Sequence, residues 1–313
     1  MSAPGRACPV SYRHGARALA GAALLEVDTL WVAGGLYGNP LALERLLQLY
    51  EAEPGSKALV FNGDFHWFDV FPEEFAQIER GVSRYLATRG NVETELAAPF
   101  AGAGCGCAYP DWVDDATVEH SNRVIERLRA TAACFPRALE RLARLPMHLV
   151  AAVGGERVAV VHGDADSLAG WGFSQETLGT EPGRAAAARA FAEANARIFA
   201  SSHSCLPVLQ QFAGGHVIAN NGAAGMPNFR GTRFGLATRI SVRASAGALY
   251  GARAAHLFVE TVALDYDARA WRGRFIAQWP EGSAAHASYF GRICEGPGYR
   301  TEQALRRETA LAA

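Results

Sequence analysis

Val60-Phe61-Asn62-Gly63-Asp64 is an apolar run that ends in a turn with a carboxylate at its last position. A short apolar run bounded by turn residues is typical of a buried strand, so we expect Asp64 to follow directly behind a strand. In sheets with α/β crossovers, ligands and metal ions bind in the crevice outside the carboxyl ends of the strands. The segment therefore predicts an α/β sheet with Asp64 at the edge that carries the functional site.

Three more polar residues stand in a comparable setting, each close behind an apolar or small-residue run. They are Asn91 in Gly90-Asn91, His162 in His162-Gly163, and His203 in Ser202-His203-Ser204. One carboxylate, one amide oxygen and two imidazoles form a donor set that suits Zn, Mn or Fe. Taken singly, each residue would more often be a turn residue or a buried polar group than a ligand. Their common setting predicts that these three side chains and Asp64 meet in one coordination sphere.

The order Gly-Asp, Gly-Asn, His-Gly and then a box similar to Gly-His-x-His resembles the calcineurin-like metallophosphoesterases over roughly residues 29–229. The segment Leu30–Asn39 is similar to the family's first box, because it ends in Gly38-Asn39 and a predicted helix follows it. The resemblance implies an α/β fold of four layers, in which two mixed central β-sheets are flanked by helices. It also implies a metal-dependent hydrolase that acts on phosphate ester bonds.

The losses relative to the family fall on one of its two metal ions. In the family both ions share the aspartate that is matched here by Asp64. The first ion takes its other ligands from positions that here hold Gly35, Tyr37 and Cys205, so none of those ligands is kept. The chain therefore resembles a divergent member that lacks the first-metal ligands.

The ligands of the family's second ion are all present. Together with the shared aspartate they are Asp64, Asn91, His162 and His203. The resemblance therefore implies one divalent ion per chain, Zn, Mn or Fe, bound by these side chains. We expect Tyr37 to fill the vacated position and to turn its hydroxyl towards the remaining ion or its water.

Catalysis in the family uses a histidine directly after Gly-Asn, and this position holds Val92. A valine cannot transfer a proton to the leaving group, so we expect a small-molecule phosphodiester or an activated monoester as the substrate. A bound divalent ion would provide hydroxide near neutral pH. The resemblance implies catalytic roles for Asp64 and His203, and Tyr37 is a candidate for a contact with the substrate or the hydroxide. The alternative is a binding or regulatory protein that keeps the fold without catalysis.

Four further residues are candidates for additional ligands, namely Cys205, His66, Cys105 and Cys107. Cys205 stands where the family has a metal-binding histidine, and thiolate is a good ligand for Zn or Fe, so a centre rebuilt with sulfur is a third hypothesis. His66 follows Asp64 by two residues and would point the same way in extended geometry. Cys105 and Cys107 lie in a Gly-rich loop, and we expect packed free thiols in a large domain without an export signal.

Composition and charge limit the possible functions and partners. Half of the 313 residues are hydrophobic and the formal net charge is −1, which argues against general binding to nucleic acids or membrane surfaces. No apolar run approaches the ~20 residues that cross a bilayer, and the run Ala18–Leu25 is too short for a signal peptide, so we expect a cytoplasmic protein. We interpret residues 1–313 as a single domain with an N-terminal lead-in at 1–28 and a C-terminal extension at 280–313. The sequence does not determine the oligomeric state.

Strand and helix patterns alternate in the first half of the chain, which indicates right-handed crossovers and a mostly parallel sheet. Strands are predicted at Thr29–Ala33, Ala58–Phe61, Tyr85–Thr88, His148–Val153, Arg157–Val161, Ala196–Ala200 and Val217–Ala219, and strands of a second sheet at Leu236–Val242 and Leu257–Asp265. Helices are predicted at Pro40–Glu51, Pro72–Val82, Ala116–Leu145 with a break at Pro136, Gly183–Asn195 and Thr301–Leu311, and a loop is predicted at 94–116. We expect the strands that end at Ala33, Phe61 and Thr88 to be adjacent and parallel.

Overall fold

Strands and helices are interleaved along the chain in the computed structural model, which describes residues 3–21 and 23–309. The strands are β1 (Leu25–Val27), β2 (Thr29–Ala33), β3 (Lys57–Asn62), β4 (Leu86–Thr88), β5 (His148–Val153), β6 (Glu156–Val161), β7 (Ile198–Ser201), β8 (Val208–Phe212), β9 (His216–Asn220), β10 (Gly235–Ser241), β11 (Ala248–Ala254), β12 (Leu257–Leu264) and β13 (Leu305–Thr309). The α-helices are α1 (Pro40–Glu51), α2 (Pro72–Val82), α3 (Asn91–Ala97), α4 (Asp115–Ala132), α5 (Pro136–Arg144), α6 (Gln175–Leu178), α7 (Glu181–Ala194), α8 (Ala268–Gln278), α9 (Ala284–Glu295) and α10 (Thr301–Ala304). Short 3-10 helices lie at Val10–Tyr12, Ala16–Ala20 and Ala213–Gly215.

The strands form two mixed sheets. The six-stranded sheet has the order β11-β12-β10-β2-β3-β4, and the seven-stranded sheet has the order β1-β5-β6-β7-β9-β8-β13. In the first sheet β2 pairs in parallel with β3, and β3 pairs in parallel with β4. The predicted adjacency of the strands that end near Ala33, Phe61 and Thr88 is therefore confirmed.

The alternation of side chains along each strand builds the layers of the fold. In β2, Leu30 and Val32 belong to the apolar core between the two sheets, whereas Trp31 and Ala33 belong to a core shared with α1 and α2. The outer face of the seven-stranded sheet is covered by α7, and Phe191 of that helix belongs to the core there. The fold is the expected four-layer α/β sandwich, two mixed sheets flanked by helices.

The turn between β2 and α1 is held in place by the cap of the helix. Asn39 Oδ1 accepts hydrogen bonds from the backbone N–H groups of Leu41 at 3.0 Å and Ala42 at 3.1 Å, and Pro40 supplies the first helical position without a donor of its own. Asn39 Nδ2 donates to the carbonyl of Gly225 at 2.9 Å. One residue therefore starts the helix and ties the end of β2 to the loop behind β9.

The structure corrects three of the predicted elements. First, β10 and β12 are antiparallel partners in the same sheet as β2, so they do not form a second sheet. Second, the predicted loop 94–116 has α3 at its start and α4 at its end. Third, the predicted helix Thr301–Leu311 is a single turn followed by β13, while residues 310 and 311 lie outside the described part of the chain. The parallel pairing of β13 with β8 at a sheet edge provides backbone hydrogen bonds that outweigh local helix propensity.

Within residues 3–21 and 23–309, no helix combines the length and apolar character needed to cross a bilayer.

Candidate metal centre

Asp64 reaches the crevice between the sheets because the chain turns sharply after β3. Gly63 and Asp64 both have left-handed backbone conformations, with φ of +73° and +52°. A Cβ atom on Gly63 would come within 2.5 Å of His162 Nδ1 and 2.6 Å of the backbone of Gly90, so only glycine fits there. The turned carboxylate accepts a hydrogen bond from the backbone N–H of Val92 at 3.2 Å. Val92 therefore contacts the carboxylate of Asp64 through its backbone N–H.

Glu93 joins the loop of Asp64 to the loop of Asn91. Its buried carboxylate accepts hydrogen bonds from the backbone N–H groups of Asp64 and Gly90, both at 2.8 Å, and of Phe65 at 3.0 Å. Burial, reinforced by the charge of Asp64, raises the pKa of Glu93. Sequence reasoning missed this residue, although an acidic residue at the third position of a helix is the known pattern of a capping box. Glu93 therefore helps to fix these two loops relative to each other.

His162 Nε2 lies close to one donor atom of each of the other three predicted ligands. It is 3.4 Å from Asp64 Oδ2, 3.2 Å from Asn91 Oδ1 and 3.2 Å from His203 Nδ1. Donor atoms bound to one tetrahedral ion at ~2.0–2.1 Å are about 3.3 Å apart. The spacing around His162 therefore matches the donor spacing of such a centre, and Asp64, His162 and His203 place ligand atoms within 4.8 Å of one another.

The outward contacts of the ligands determine which atoms face the centre. His162 Nδ1 is 2.9 Å from the carbonyl of Asn62, and His203 Nε2 is 3.0 Å from the carbonyl of Cys107. A carbonyl only accepts hydrogen bonds, so these two ring nitrogens carry the protons. Asn91 Nδ2 likewise donates outward, to the carbonyl of Cys105 at 2.9 Å. Lone pairs of two imidazoles, one amide and one carboxylate therefore converge, and carbonyl partners of this kind are typical around metal-binding histidines.

The electrostatics of the cluster favour a positive charge at its centre. Burial and the neighbouring His162 lower the pKa of His203 to about 4, so His203 is neutral at neutral pH. Burial opposes protonation of His162, but the charge of Asp64 outweighs it and raises the pKa of His162. Burial would raise the pKa of Asp64, yet His162 lowers it below its ordinary value. The carboxylate of Asp64 therefore stabilises a positive charge beside it, and a bound cation would take the place of the proton that His162 favours.

The two sheets contribute equally to this centre. Asp64 and Asn91 follow β3 and β4 of the six-stranded sheet, whereas His162 and His203 follow β6 and β7 of the seven-stranded sheet. The structure brings all four predicted ligands together at the carboxyl ends of these strands, in the crevice between the layers.

Tyr37 and Cys205, two of the positions that the resemblance assigns to the first ion, contact each other. The Tyr37 hydroxyl is 2.8 Å from Cys205 Sγ. A Cβ atom on Gly35 would come within 2.7 Å of the ring of Tyr37, so the tyrosine covers the space in which an aspartate at this position would lie. The hydroxyl contacts sulfur, which differs from the expected orientation towards the ion. Burial and the neighbouring Cys205 raise the pKa of Tyr37, so the phenol stays protonated.

The cavity beside the cluster is small and mostly aromatic. Its volume is about 30 Å³, which is room for one or two water molecules. Its walls include the predicted ligands Asp64, Asn91 and His203, the pair Tyr37 and Cys205, and Trp67, Val92, Cys107, Tyr109, Trp171 and Tyr289. Trp171 stands over His203 with ring centroids 5.3 Å apart. Tyr289 comes from α9, where sequence patterns predicted no element.

His66, a candidate for an additional ligand, does not reach the centre. Its ring stacks on Phe75 at 4.0 Å between centroids and contacts Asp69 at 2.5 Å and Glu79 at 3.4 Å. The expectation assumed an extended chain, but the left-handed conformation of Asp64 breaks the alternation of side chains. His66 therefore turns towards α2.

Cys105 and Cys107, the other loop candidates, are joined in a disulfide with their Cα atoms 5.4 Å apart. The expected free thiols are corrected on this point, because Gly104 and Gly106 take left-handed conformations with φ of +62° and +69° and fold the loop so that the two cysteines meet. A disulfide sulfur does not offer the thiolate that a metal ion binds. Cys205 keeps a free thiol.

The overall fold matches solved structures that include a metallophosphoesterase. A metallophosphoesterase from Sphaerobacter thermophilus aligns with a TM-score of 0.54 and 16% identity over 87% of this chain and 100% of that one. A hypothetical protein from Pyrococcus horikoshii OT3 aligns with a TM-score of 0.58 and 15% identity over 88% of this chain and 100% of that one. No protein-family model matches the chain, and no curated protein matches it either. The chain has the metallophosphoesterase fold, as the resemblance in its sequence implied.

Proposed function

We propose that this protein is a metal-dependent phosphoesterase that works with one divalent ion, Zn, Mn or Fe. The observation that carries the proposal is the convergence of four lone-pair donors, from Asp64, Asn91, His162 and His203. The outward hydrogen bonds of the amide and the two imidazoles go to backbone carbonyls. Two imidazole nitrogens and two oxygens suit a borderline ion of this class, which would displace the proton that His162 favours. When bound, such an ion lowers the pKa of a coordinated water and polarises the phosphoryl oxygen.

The walls of the cavity favour a substrate of low charge. Among the lining residues that the structure describes, His203 is the only one with a basic side chain, and it is neutral at neutral pH. A phosphate monoester dianion would therefore find no second cation from the protein, whereas a diester carries one charge. With Val92 in the acid position, the leaving group must depart without a proton from that side chain. We therefore propose a phosphodiester or an activated monoester of a small molecule as the substrate.

Tyr37 is a polar side chain that lines the cavity beside the predicted ligands and has no place in the donor set. Its protonated hydroxyl lines the cavity together with Asp64 and is shared with Cys205. In the proposed reaction the hydroxyl orients the substrate by a hydrogen bond to a phosphoryl oxygen. Asp64 and His203 would hold the ion, which would supply an activated water for the attack.

The test combines metal analysis with hydrolysis of bis(4-nitrophenyl) phosphate. The purified protein should hold one equivalent of metal and release nitrophenolate, and both properties should be lost in Asp64→Ala and His203→Ala. His256→Ala is the matched control, because this exposed histidine contacts the Gly154 carbonyl at the opposite end of β6 from His162. The control should keep metal and activity.

A second candidate function is metal or anion binding without catalysis. It is favoured by the small volume of the cavity, about 30 Å³, and by the valine in the acid position. One equivalent of metal with no turnover of aryl or alkyl phosphate esters in the presence of Zn, Mn or Fe would select this candidate over the phosphoesterase.

A further inference from the structure

Two of the four metal-site side chains are oriented by the same short loop. Asn91 Nδ2 donates to the carbonyl of Cys105 at 2.9 Å, and His203 Nε2 donates to the carbonyl of Cys107 at 3.0 Å. These bonds hold Asn91 Oδ1 and His203 Nδ1 towards the centre. The two carbonyls belong to residues that are linked through their side chains by a disulfide.

The loop is anchored on one side of the disulfide by α4. The backbone N–H of Cys105 donates to Asn122 Oδ1 at 2.9 Å, and Arg129 Nη2 donates to the carbonyl of Gly104 at 3.0 Å. On the other side, the Cys107 carbonyl also accepts a bond from Trp171 Nε1 at 3.0 Å. The disulfide therefore connects the anchored end of the loop to the end that holds His203 and the aromatic wall.

We propose that Cys105 and Cys107 are positioning residues of the metal site, and that reduction of their disulfide weakens metal binding. This inference rests on the proposed metal site. Hydrogen-bond partners of metal ligands contribute roughly ten- to a hundredfold to metal affinity. Two such partners, the carbonyls of Cys105 and Cys107, depend on the disulfide. Because Gly104 and Gly106 are both left-handed, the reduced loop has glycine freedom on each side of Cys105 and no covalent closure.

The redox step is a two-electron reduction of the sulfur–sulfur bond. With a phosphine as the reductant, the bond breaks, each sulfur takes up one proton, and the phosphine takes up oxygen from water to form its oxide. A phosphine is preferred to a dithiol reagent because it competes weakly for the metal. Cys107 borders the cavity, and the thiol formed there is a poor ligand for the hard ion Mn²⁺.

The stability of the metal-free protein separates positioning from general stabilisation. A disulfide stabilises mainly by removing chain entropy from the unfolded state, and this effect is smallest for short loops. Cys105 and Cys107 are separated by one residue. Loss of the bond should therefore change the melting temperature of the metal-free protein little, while it changes the affinity for Mn²⁺ strongly.

The experiment measures Mn²⁺ binding, from the electron paramagnetic resonance of the free ion, for four samples. These are the oxidised chain, the phosphine-reduced chain, Cys105→Ser/Cys107→Ser, and the control Cys134→Ser, which changes an exposed thiol just behind α4. The reduced chain and the double variant should bind Mn²⁺ roughly ten- to a hundredfold more weakly, and the control should bind like the oxidised chain. If the double variant does not fold, reduction of the unaltered chain still provides the comparison.

Several results would overturn the inference. Six reactive thiols in the chain purified in air would show that the disulfide does not form. Equal Mn²⁺ affinity before and after reduction, with one ion bound in both states, would remove the positioning role and leave the proposed metal site intact. No binding of Mn²⁺, Zn²⁺ or Fe²⁺ by the oxidised chain would remove both.

Discussion

Replacing Glu93 by glutamine keeps the shape of the side chain but disrupts the link between the two metal-binding loops. One carboxylate oxygen accepts from the N–H groups of Asp64 and Gly90, and the other accepts from Phe65 at 3.0 Å and more weakly from His66 at 3.4 Å. An amide keeps one acceptor oxygen and turns an NH₂ group towards a pair of N–H donors. Each buried donor left unsatisfied costs ~1–3 kcal/mol, so two of them destabilise the folded chain by ~2–6 kcal/mol.

Urea unfolding of the metal-free protein measures this effect. With a slope of ~3 kcal/mol/M for a chain of this size, the midpoint should fall by about 1–2 M. The matched control is Glu126→Gln on the exposed side of α4, where a surface change should stay within ~0.5 kcal/mol. Equal midpoints for Glu93→Gln and the control would refute the reasoning, because they would show that these four N–H groups do not depend on the carboxylate.

Three further predictions address the vacated position, the missing acid and the response to low pH. The triple substitution Gly35→Asp/Tyr37→His/Cys205→His should raise the metal content, measured by elemental analysis, from one ion to two. All three positions have φ between +53° and +65°, and Asp and His tolerate this region. An unchanged number of ions per chain would contradict the assignment of these positions to a lost first ion. Val92→His should increase the turnover of an alkyl phosphodiester by roughly a hundredfold or more while changing an activated aryl ester much less, and equal effects on both substrates would argue against a role as acid. Although burial opposes ionisation of Glu79, Arg141 and His66 lower its pKa to about 2. The ionised carboxylate therefore stabilises the folded chain fully above the ordinary glutamate pKa near 4.5, and this stabilisation is lost as the pH falls towards 2. Unfolding free energies of the unaltered chain should therefore drop by ~3 kcal/mol more than those of Glu79→Gln between pH 6 and pH 2.

The convergence of Asp64, Asn91, His162 and His203 could be predicted because each follows a strand whose apolar run is visible in the sequence. Sheet geometry then brings the ends of β3, β4, β6 and β7 to one edge, whatever the details of the loops. The same reasoning failed for His66, because a single left-handed residue, Asp64, redirects the chain behind it. Period-two alternation holds only while the backbone stays extended.

The remaining parts of the site depend on contacts between distant segments. Tyr289 lies in α9, beyond the segment that resembles the family, and it reaches the cavity only after α9 packs against α4. Pairing of β13 with β8 overrides local propensity in the C-terminal segment, because strand preference depends on the neighbours more than on the residues themselves. The Cys105–Cys107 disulfide requires a loop conformation that composition alone does not specify.

The division of the ligands between the two sheets has a consequence for folding. Each sheet can assemble its own hydrogen bonds separately, but the binding site exists only when the two layers have docked on each other. A bound ion would therefore act as a crosslink that stabilises the docked state over any partly folded state with separated layers. At a free metal concentration a hundred times the dissociation constant, this linkage is worth about 2.7 kcal/mol. Removal of metal by a chelator should then promote hydrogen exchange first in the strands that face the junction between the layers.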